Sequence, residues 1–345
     1  MRCRLMLLVI PLFLSRLAIA EDDPAYTKVL KRMEQMGGKI TRDFELEGHP
    51  VIGVDFAGSQ KVNDRYLVLL KQFPNLQTLN LSGTKASDGG LKGVYKSKHL
   101  TTLNLANSKV TDEGISIISS VAGLTSLTCS GIKLTDLGMK EIGELKNLTT
   151  LDVSRTAITN AGLARIRELT SLITLKLDGT KISDRGLKVL DGMTNLATLN
   201  LGDTEVTDAG LKRIGGLPQL TSLILFGTQI TDEGLPEISG STTLTTLNLS
   251  GTKITDEGLK EVGKLTSLTT LSLFNTKVSD AGVRELAELK NLTSLVLAHT
   301  QCTDEIFTVI SRFELLTKLD LRQTKTTDEG LKELKKVLPQ LEVLR

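Results

Sequence analysis

What the chain lacks narrows its function first. Its 345 residues contain no Trp, three Cys and three His, and aromatic residues make up only 3% of it. So few rings exclude a stacking platform for single-stranded nucleic acid, which needs an aromatic face for each base. Three Cys exclude a small fold stapled by disulfides, and His49, His99 and His299 are too scattered to form a metal cluster. Neither sign of charge dominates: the formal net charge is +2, and charged residues are an ordinary 24%. Also absent are G-x-S-x-G, a P-loop, H-E-x-x-H and a C-x-x-C pair, and the His residues lie too far apart for a His-centred triad. The chain is therefore read as non-catalytic, with no cofactor and no metal.

A run long enough for a transmembrane helix is missing as well. Residues 1–20 read MRCRLMLLVIPLFLSRLAIA. Arg2 and Arg4 make a positive start, Leu5 to Leu14 an apolar run, and Ala18 and Ala20 supply the small residues that a signal peptidase reads. A spanning helix needs about 20 apolar residues, and Arg16 interrupts this run. Residues 1–20 are read as a secretory signal peptide. That predicts a secreted, periplasmic or cell-envelope protein with no stable membrane span after cleavage. The three Arg of the leader explain the positive balance: without them 39 basic residues face 40 acidic ones. A net charge of −1 gives no case for nucleic acid as a partner.

What is present is a repeat. Leu76, Leu100, Leu124, Leu148, Leu172, Leu196, Leu220, Leu244, Leu268, Leu292 and Leu316 stand 24 residues apart. Each opens a phrase such as LTTLNLSGTKITDEGLKEVGKLTS, read at Leu244 to Ser267. A divergent copy begins at Val51 and a partial one at Leu341, giving about 12 full units and a stub. Within a unit, Leu247 and Leu249 alternate as in a strand. Gly251-Thr252 turns the chain, Thr255-Asp256 starts a helix, and Leu259, Val262 and Leu265 form its apolar stripe. One unit cannot bury both faces, but stacked units can.

The L-x-x-L-x-L pattern over residues 51–345 resembles the leucine-rich repeat family. The I-T-D-x-G-L phrase looks most like the ribonuclease-inhibitor-like and cysteine-containing F-box subclasses, and like exported bacterial repeat proteins. The resemblance implies an α/β fold, a right-handed horseshoe solenoid with parallel concave strands and short convex helices. One departure stands out. Where the family places Asn or Cys at the strand end, this chain has Thr in nine of eleven regular units, with Ser108 and Ile132 as exceptions. A Thr ladder bonded to backbone inside the bend is expected, with a looser unit at Ile132. Residues 21–50 read as an N-terminal cap: a helix from Pro24 to Met36, an alternating strand from Lys39 to Leu46, and a turn at Glu47-Gly48-His49-Pro50.

Stacking turns each repeat position into a row. The Asp row runs from Asp64 to Asp328 with Asn160 in one place, and is read as helix capping. The Lys row (Lys85, Lys109, Lys133, Lys181, Lys253, Lys277, Lys325) is interrupted and reads as a solvated rim. Cys129 and Cys302 lie seven repeats apart, too far to bridge, and read as core residues. The concave positions are mostly Thr, Asn and Ser. Ile224, Phe226, Phe274 and Val296, with His299 nearby, share columns there and form the first candidate partner-binding patch. A second candidate is polar: Asp152, Arg155, Lys176, Asp178, Asp203, Asp320 and Arg322.

These readings predict an exported, monomeric scaffold that binds a protein partner through its concave face. Two alternatives stay open. A ubiquitin-ligase substrate adaptor would need an F-box module that residues 21–50 are too short to supply. A binder of cell-surface polysaccharide or another anionic ligand would rest on the Lys row.

Overall fold

Period-two Leu spacing makes the strands, and the computed structural model places them in one sheet. It describes residues 24–345, apart from 47 and 96, so the leader expected at 1–20 lies outside the described residues. The strands are β1 (Lys39–Arg42), β2 (Val51–Asp55), β3 (Thr78–Asn80), β4 (Thr102–Asn104), β5 (Ser126–Thr128), β6 (Thr150–Asp152), β7 (Thr174–Lys176), β8 (Thr198–Asn200), β9 (Ser222–Ile224), β10 (Thr246–Asn248), β11 (Thr270–Ser272), β12 (Ser294–Val296), β13 (Lys318–Asp320) and β14 (Glu342–Leu344). They form a 14-stranded sheet in chain order. From β2 onward they are parallel and in register, with Leu247 between Leu223 and Leu271. Strands repeat about every 4.8 Å, whereas packed helices need about 8–10 Å. A stack of such units therefore bends with its strands on the inside, the α/β horseshoe solenoid that the pattern implied.

Residues 24–50 carry a helix α1 (Pro24–Gln35) that buries Tyr26, Leu30 and Met33. The Tyr26 ring meets Phe73 edge-on at 5.8 Å. β1 pairs antiparallel with β2 and is shorter than the alternation over Lys39 to Leu46 predicts. It stops because the Asp43 carboxylate accepts the Glu45 N–H at 3.0 Å and turns the chain.

Each repeat buries the same aliphatic set. Leu244, Leu247, Leu249, Ile254, Leu259, Val262 and Leu265 are all buried. The Thr at the strand end is buried in every unit but that of Thr324, and its hydroxyl donates to the carbonyl three residues back in its own unit, as from Thr252 to Leu249 at 2.6 Å. This satisfies a carbonyl that the bend would otherwise orphan. Ile132 replaces that bond with apolar burial, and β5 keeps its register on both sides, so the expected loosening is not seen in the pairing.

The convex elements are short because the closing Gly or Leu returns the chain to the next strand. Asp256–Val262 is an α-helix of seven residues, whereas Gly186–Gly192 is a 3₁₀-helix. The unit with Pro236 holds only the 3₁₀-helix Asp232–Glu237. Proline offers no N–H and its ring opposes a preceding α-turn.

The Asp row has a different role from the expected cap. Thr255 is the N-cap, its hydroxyl accepting the Glu257 N–H at 3.3 Å. The preceding unit's Asp232 instead reaches forward: its two oxygens accept the Thr255 N–H at 2.9 Å and the Thr255 hydroxyl at 2.6 Å. Among the described residues the same pair of bonds recurs from Asp88 to Thr111 and on to Asp304 with Thr327. Asn160 keeps it with reversed polarity, accepting from the Ser183 N–H and donating to its hydroxyl at 2.8 Å. In most units the Gly three residues after the clamped Thr makes room for the preceding unit's Asp. A Cβ on Gly258 would overlap the Asp232 carboxylate. Ile306 stands at that place in one unit, and Asp280 there still accepts the Thr303 N–H at 2.7 Å and the Thr303 hydroxyl at 2.8 Å.

This geometry reverses an ordinary expectation. Gly to Ala inside a helix stabilises by up to about 1 kcal/mol. Gly258→Ala should instead destabilise by about 1–3 kcal/mol, because the new methyl pushes on the clamp. Urea unfolding of the variant against the parent measures the sign.

Candidate functional site

The concave face is built from two outward columns on the strands and two that follow them. The first strand column is a run of hydroxyls: Thr150, Thr174, Thr198, Ser222, Thr246 and Thr270 stand in register. The second contains Asn200, Ile224, Asn248, Ser272, Val296 and Asp320, also in register. Asn and Asp there have a local structural role. Asn248 accepts the Ser250 N–H at 2.9 Å, and Asn200, Asp152 and Asp320 make the same bond two residues on. Ile224 and Val296 cannot make it. The chain gives up about 0.5–1.5 kcal/mol at each of these strand ends.

The column after the strand holds Gly202, Phe226, Ser250, Phe274, Ala298 and Arg322. The expected apolar patch is here, but in two pieces. Phe226 leans toward β8, and its ring fills the space a Cβ on Gly202 would take. Phe274 leans the opposite way, its ring 5.0 Å from the His299 ring at an interplanar angle of 69°. Ser250 lies between the two rings, its hydroxyl 2.8 Å from that of Ser272. Each ring goes where its neighbour is small, Gly202 on one side and Ala298 on the other. Gly202 is a site residue that the sequence reading missed; its signal was a lone Gly in a column otherwise carrying side chains.

The fourth column turns with positive φ. Gly83, Gly131, Gly179, Gly227 and Gly251 occupy it, but so do Arg155 (φ 54°), Asp203 (φ 51°), His299 (φ 59°) and Gln323 (φ 56°). Left-handed backbone costs a non-glycine residue about 1–2 kcal/mol. Side chains kept at such positions are candidates for function.

The polar candidates also separate into two groups. Around β6 to β8, Lys176 lies 3.9 Å from Asp152, and Asp178 accepts from Ser154 at 2.6 Å and Asn200 at 2.8 Å. Arg155 and Asp203 flank this group in the turn column. Asp320 and Arg322 lie six strands away from β7, roughly 29 Å at the strand spacing. Their pairing is a two-point fork, with Nε to Oδ1 at 3.0 Å and Nη2 to Oδ2 at 2.6 Å. The Arg322 hydrogen bond holds the Asp320 carboxyl below the usual carboxylate range, against the effect of burial. Asp320 and Arg322 thus join Phe274 and His299, so the structure unites the C-terminal halves of both candidates. A shallow concavity of about 370 Å³ lies here, lined also by Gln323 and Arg345.

The remaining chemistry-bearing residues lie apart from this face. Cys129 and Cys302 are buried and unbridged, and burial pushes the Cys302 thiol up to about 11 and the Cys129 thiol further. Among the described residues no group of three His, Cys, Asp or Glu could hold a metal, and no helix is long and apolar enough to cross a membrane.

Comparison with known proteins bears on the repeat. Leucine-rich repeat models match residues 242–287 as two copies, and 96–119, 144–166, 192–215 and 217–239 as single ones. No curated protein matches the sequence. An internalin from Listeria monocytogenes is similar in structure, with 21% identity, a TM-score of 0.65, and coverage of 94% of this chain and 95% of that one. A leucine-rich repeat protein from Leptospira interrogans shares 22% identity over 80% of this chain and 91% of that one, with a TM-score of 0.47. At these identities the first likeness shows the fold alone, and the second is too weak to argue from.

Arg155 bears the turn strain and forms no side-chain bond among the described contacts. Arg155→Gly should raise the stability by about 1 kcal/mol. Thermal unfolding checks the direction.

Proposed function

Because its repeats are leucine-rich repeats, we propose that this chain is a non-catalytic scaffold that binds another protein through its concave face. The observation that carries this reading is the second strand column. Where Asn200, Asn248 and Asp320 in the same column gain a turn bond, Ile224 and Val296 present half-buried aliphatic carbon and forgo it. A residue that costs the fold local stability and adds apolar surface to a polar face needs a reason outside the fold. A partner surface supplies one.

The contact region we assign has two lobes. One is Ile224 with Phe226 seated on Gly202; the other is Val296, Phe274 and His299 beside the Asp320–Arg322 fork. The first lobe is apolar and the second joins an aromatic edge to charge, which suits side chains of a protein rather than a uniform polymer. The group at Asp152, Lys176 and Asp178, with Arg155 and Asp203, is read as a subsidiary polar contact. The face is held by stacked backbone, so little ordering entropy opposes association. The leader-like residues 1–20 support export to the cell envelope or beyond, and the chain is read as a monomer. Residues 24–50 are read as the cap of the first edge, since β1 occupies it. The T-D-x-G-L phrase supports placing the repeats near the ribonuclease-inhibitor-like and cysteine-containing subclasses.

Returning the departures to the commonest residue of their columns separates binding from folding. The variant Ile224→Asn with Phe274→Ser should unfold at the same or a higher temperature and should lose its partner in affinity capture from the native exported fraction. The same partner retained at equal yield would overturn the concave-face reading.

A further inference from the structure

Local charge departs from the global balance at one place. Between residues 65 and 111 there are seven basic residues and a single acid, Asp88, in a chain whose formal net charge is +2. Both Asp88 oxygens are already engaged by Thr111. Three of these Lys line one cavity. Lys71 lies in the last turn of the 3₁₀-helix Val68–Gln72, and Lys92 and Lys98 belong to the segment between the helix Asp88–Leu91 and β4. With His99 they line a concavity of about 610 Å³ whose other walls include Pro74 and Tyr95, and no carboxylate lines it.

The fold does not account for these residues. At the position of His99, other units carry a side chain that caps the loop of the unit before. Asn147 donates to the Ala122 carbonyl at 2.8 Å, Asn195 to Thr170 at 3.1 Å, and Asn291 to Thr266 at 2.9 Å. His99 makes no such bond among the described contacts. At the position of Lys98, Lys146 and Lys290 each donate to a carbonyl three residues back, and Lys98 does not. Lys71, Lys92 and Lys98 also form no ion pair among the described residues. Three Lys and one His thus line one cavity with no counter-charge among the described residues that line it. Ammonium groups on flexible stems suit the spread oxygens of phosphate, as point charges.

We propose that this concavity binds a phosphate-bearing ligand. Lys71, Lys92, Lys98 and His99 contact phosphate oxygens there, and Pro74 and Tyr95 support the attached chain or ring. The site lies on the loop side of the repeats, away from the concave face, and stands independently of the partner reading. It is also distinct from the Lys row, which follows the opposite ends of the strands.

Calorimetric titration with tripolyphosphate tests it, using the purified protein and two triple variants of equal charge change. The site triple is Lys71→Ala, Lys92→Ala, Lys98→Ala; the rim triple is Lys85→Ala, Lys109→Ala, Lys133→Ala. The protein should bind the probe. The site triple should weaken binding at least roughly tenfold and the rim triple less than about twofold, since a hydrogen bond to a charged group is worth about 1.5–3 kcal/mol. Thermal unfolding confirms that both triples stay folded. Co-sedimentation with phosphatidylglycerol vesicles, against phosphatidylcholine alone, distinguishes the sources. Capture that tripolyphosphate reverses and the site triple abolishes identifies a lipid headgroup. Tripolyphosphate binding without vesicle capture identifies a soluble phosphate ester. No tripolyphosphate binding, or equal losses in the two triples, would overturn the proposal.

Discussion

A carboxylate shared between successive units sets the spacing on which the rest of this structure depends. Asp232 belongs to one turn of the solenoid but spends both oxygens on the next, on the N–H and hydroxyl of Thr255. Because the two partners are 23 residues apart in every copy, the bond fixes the phase of each unit against its neighbour. The Thr serves twice, as clamp partner and as N-cap, and Gly258, three residues after it, leaves room for the Asp232 carboxylate. Asn160 shows that the geometry, and not the negative charge, is what must be kept, since an amide fits the same place with one bond reversed. Fixed phase is what aligns the Leu into one core and the outward residues into columns.

Regularity of that kind makes departures informative. A surface in which each column repeats one residue has already met the needs of the fold. Ile224 and Val296 are the aliphatic residues in a column where Asn and Asp make turn bonds, and His299 holds a backbone conformation that glycine adopts more cheaply. Phe226 and Phe274 are the aromatic residues of a column that is mostly small, and each finds a small neighbour to lean on. Lys98 and His99 decline bonds that their counterparts make in other units.

Much of this was legible in the sequence. The 24-residue period, the inward Leu, the Thr at the strand end and the unbridged cysteines all follow from spacing and residue type. The clamp was not legible, because an Asp at a helix start is already explained by capping, and its true partner lies in the next copy. Nor could the sequence say that Phe226 and Phe274 turn apart. They share a column, so they read as one patch, and only the sizes of residues 202 and 298 decide which way each ring falls. The strand from Lys39 ended early for a similar reason: Asp43 offers a side-chain acceptor that alternation does not register. The charge of residues 65–111 was hidden by a balanced total.

Neighbouring units are coupled through the Asp–Thr bond and not merely stacked by apolar burial. A double-mutant cycle on Asp232→Ala and Thr255→Ala, read by urea unfolding, tests it most directly. A coupling energy of about 1–2 kcal/mol is expected, with the double variant less destabilised than the sum of the singles. Additive losses, agreeing within about 0.5 kcal/mol, would contradict it.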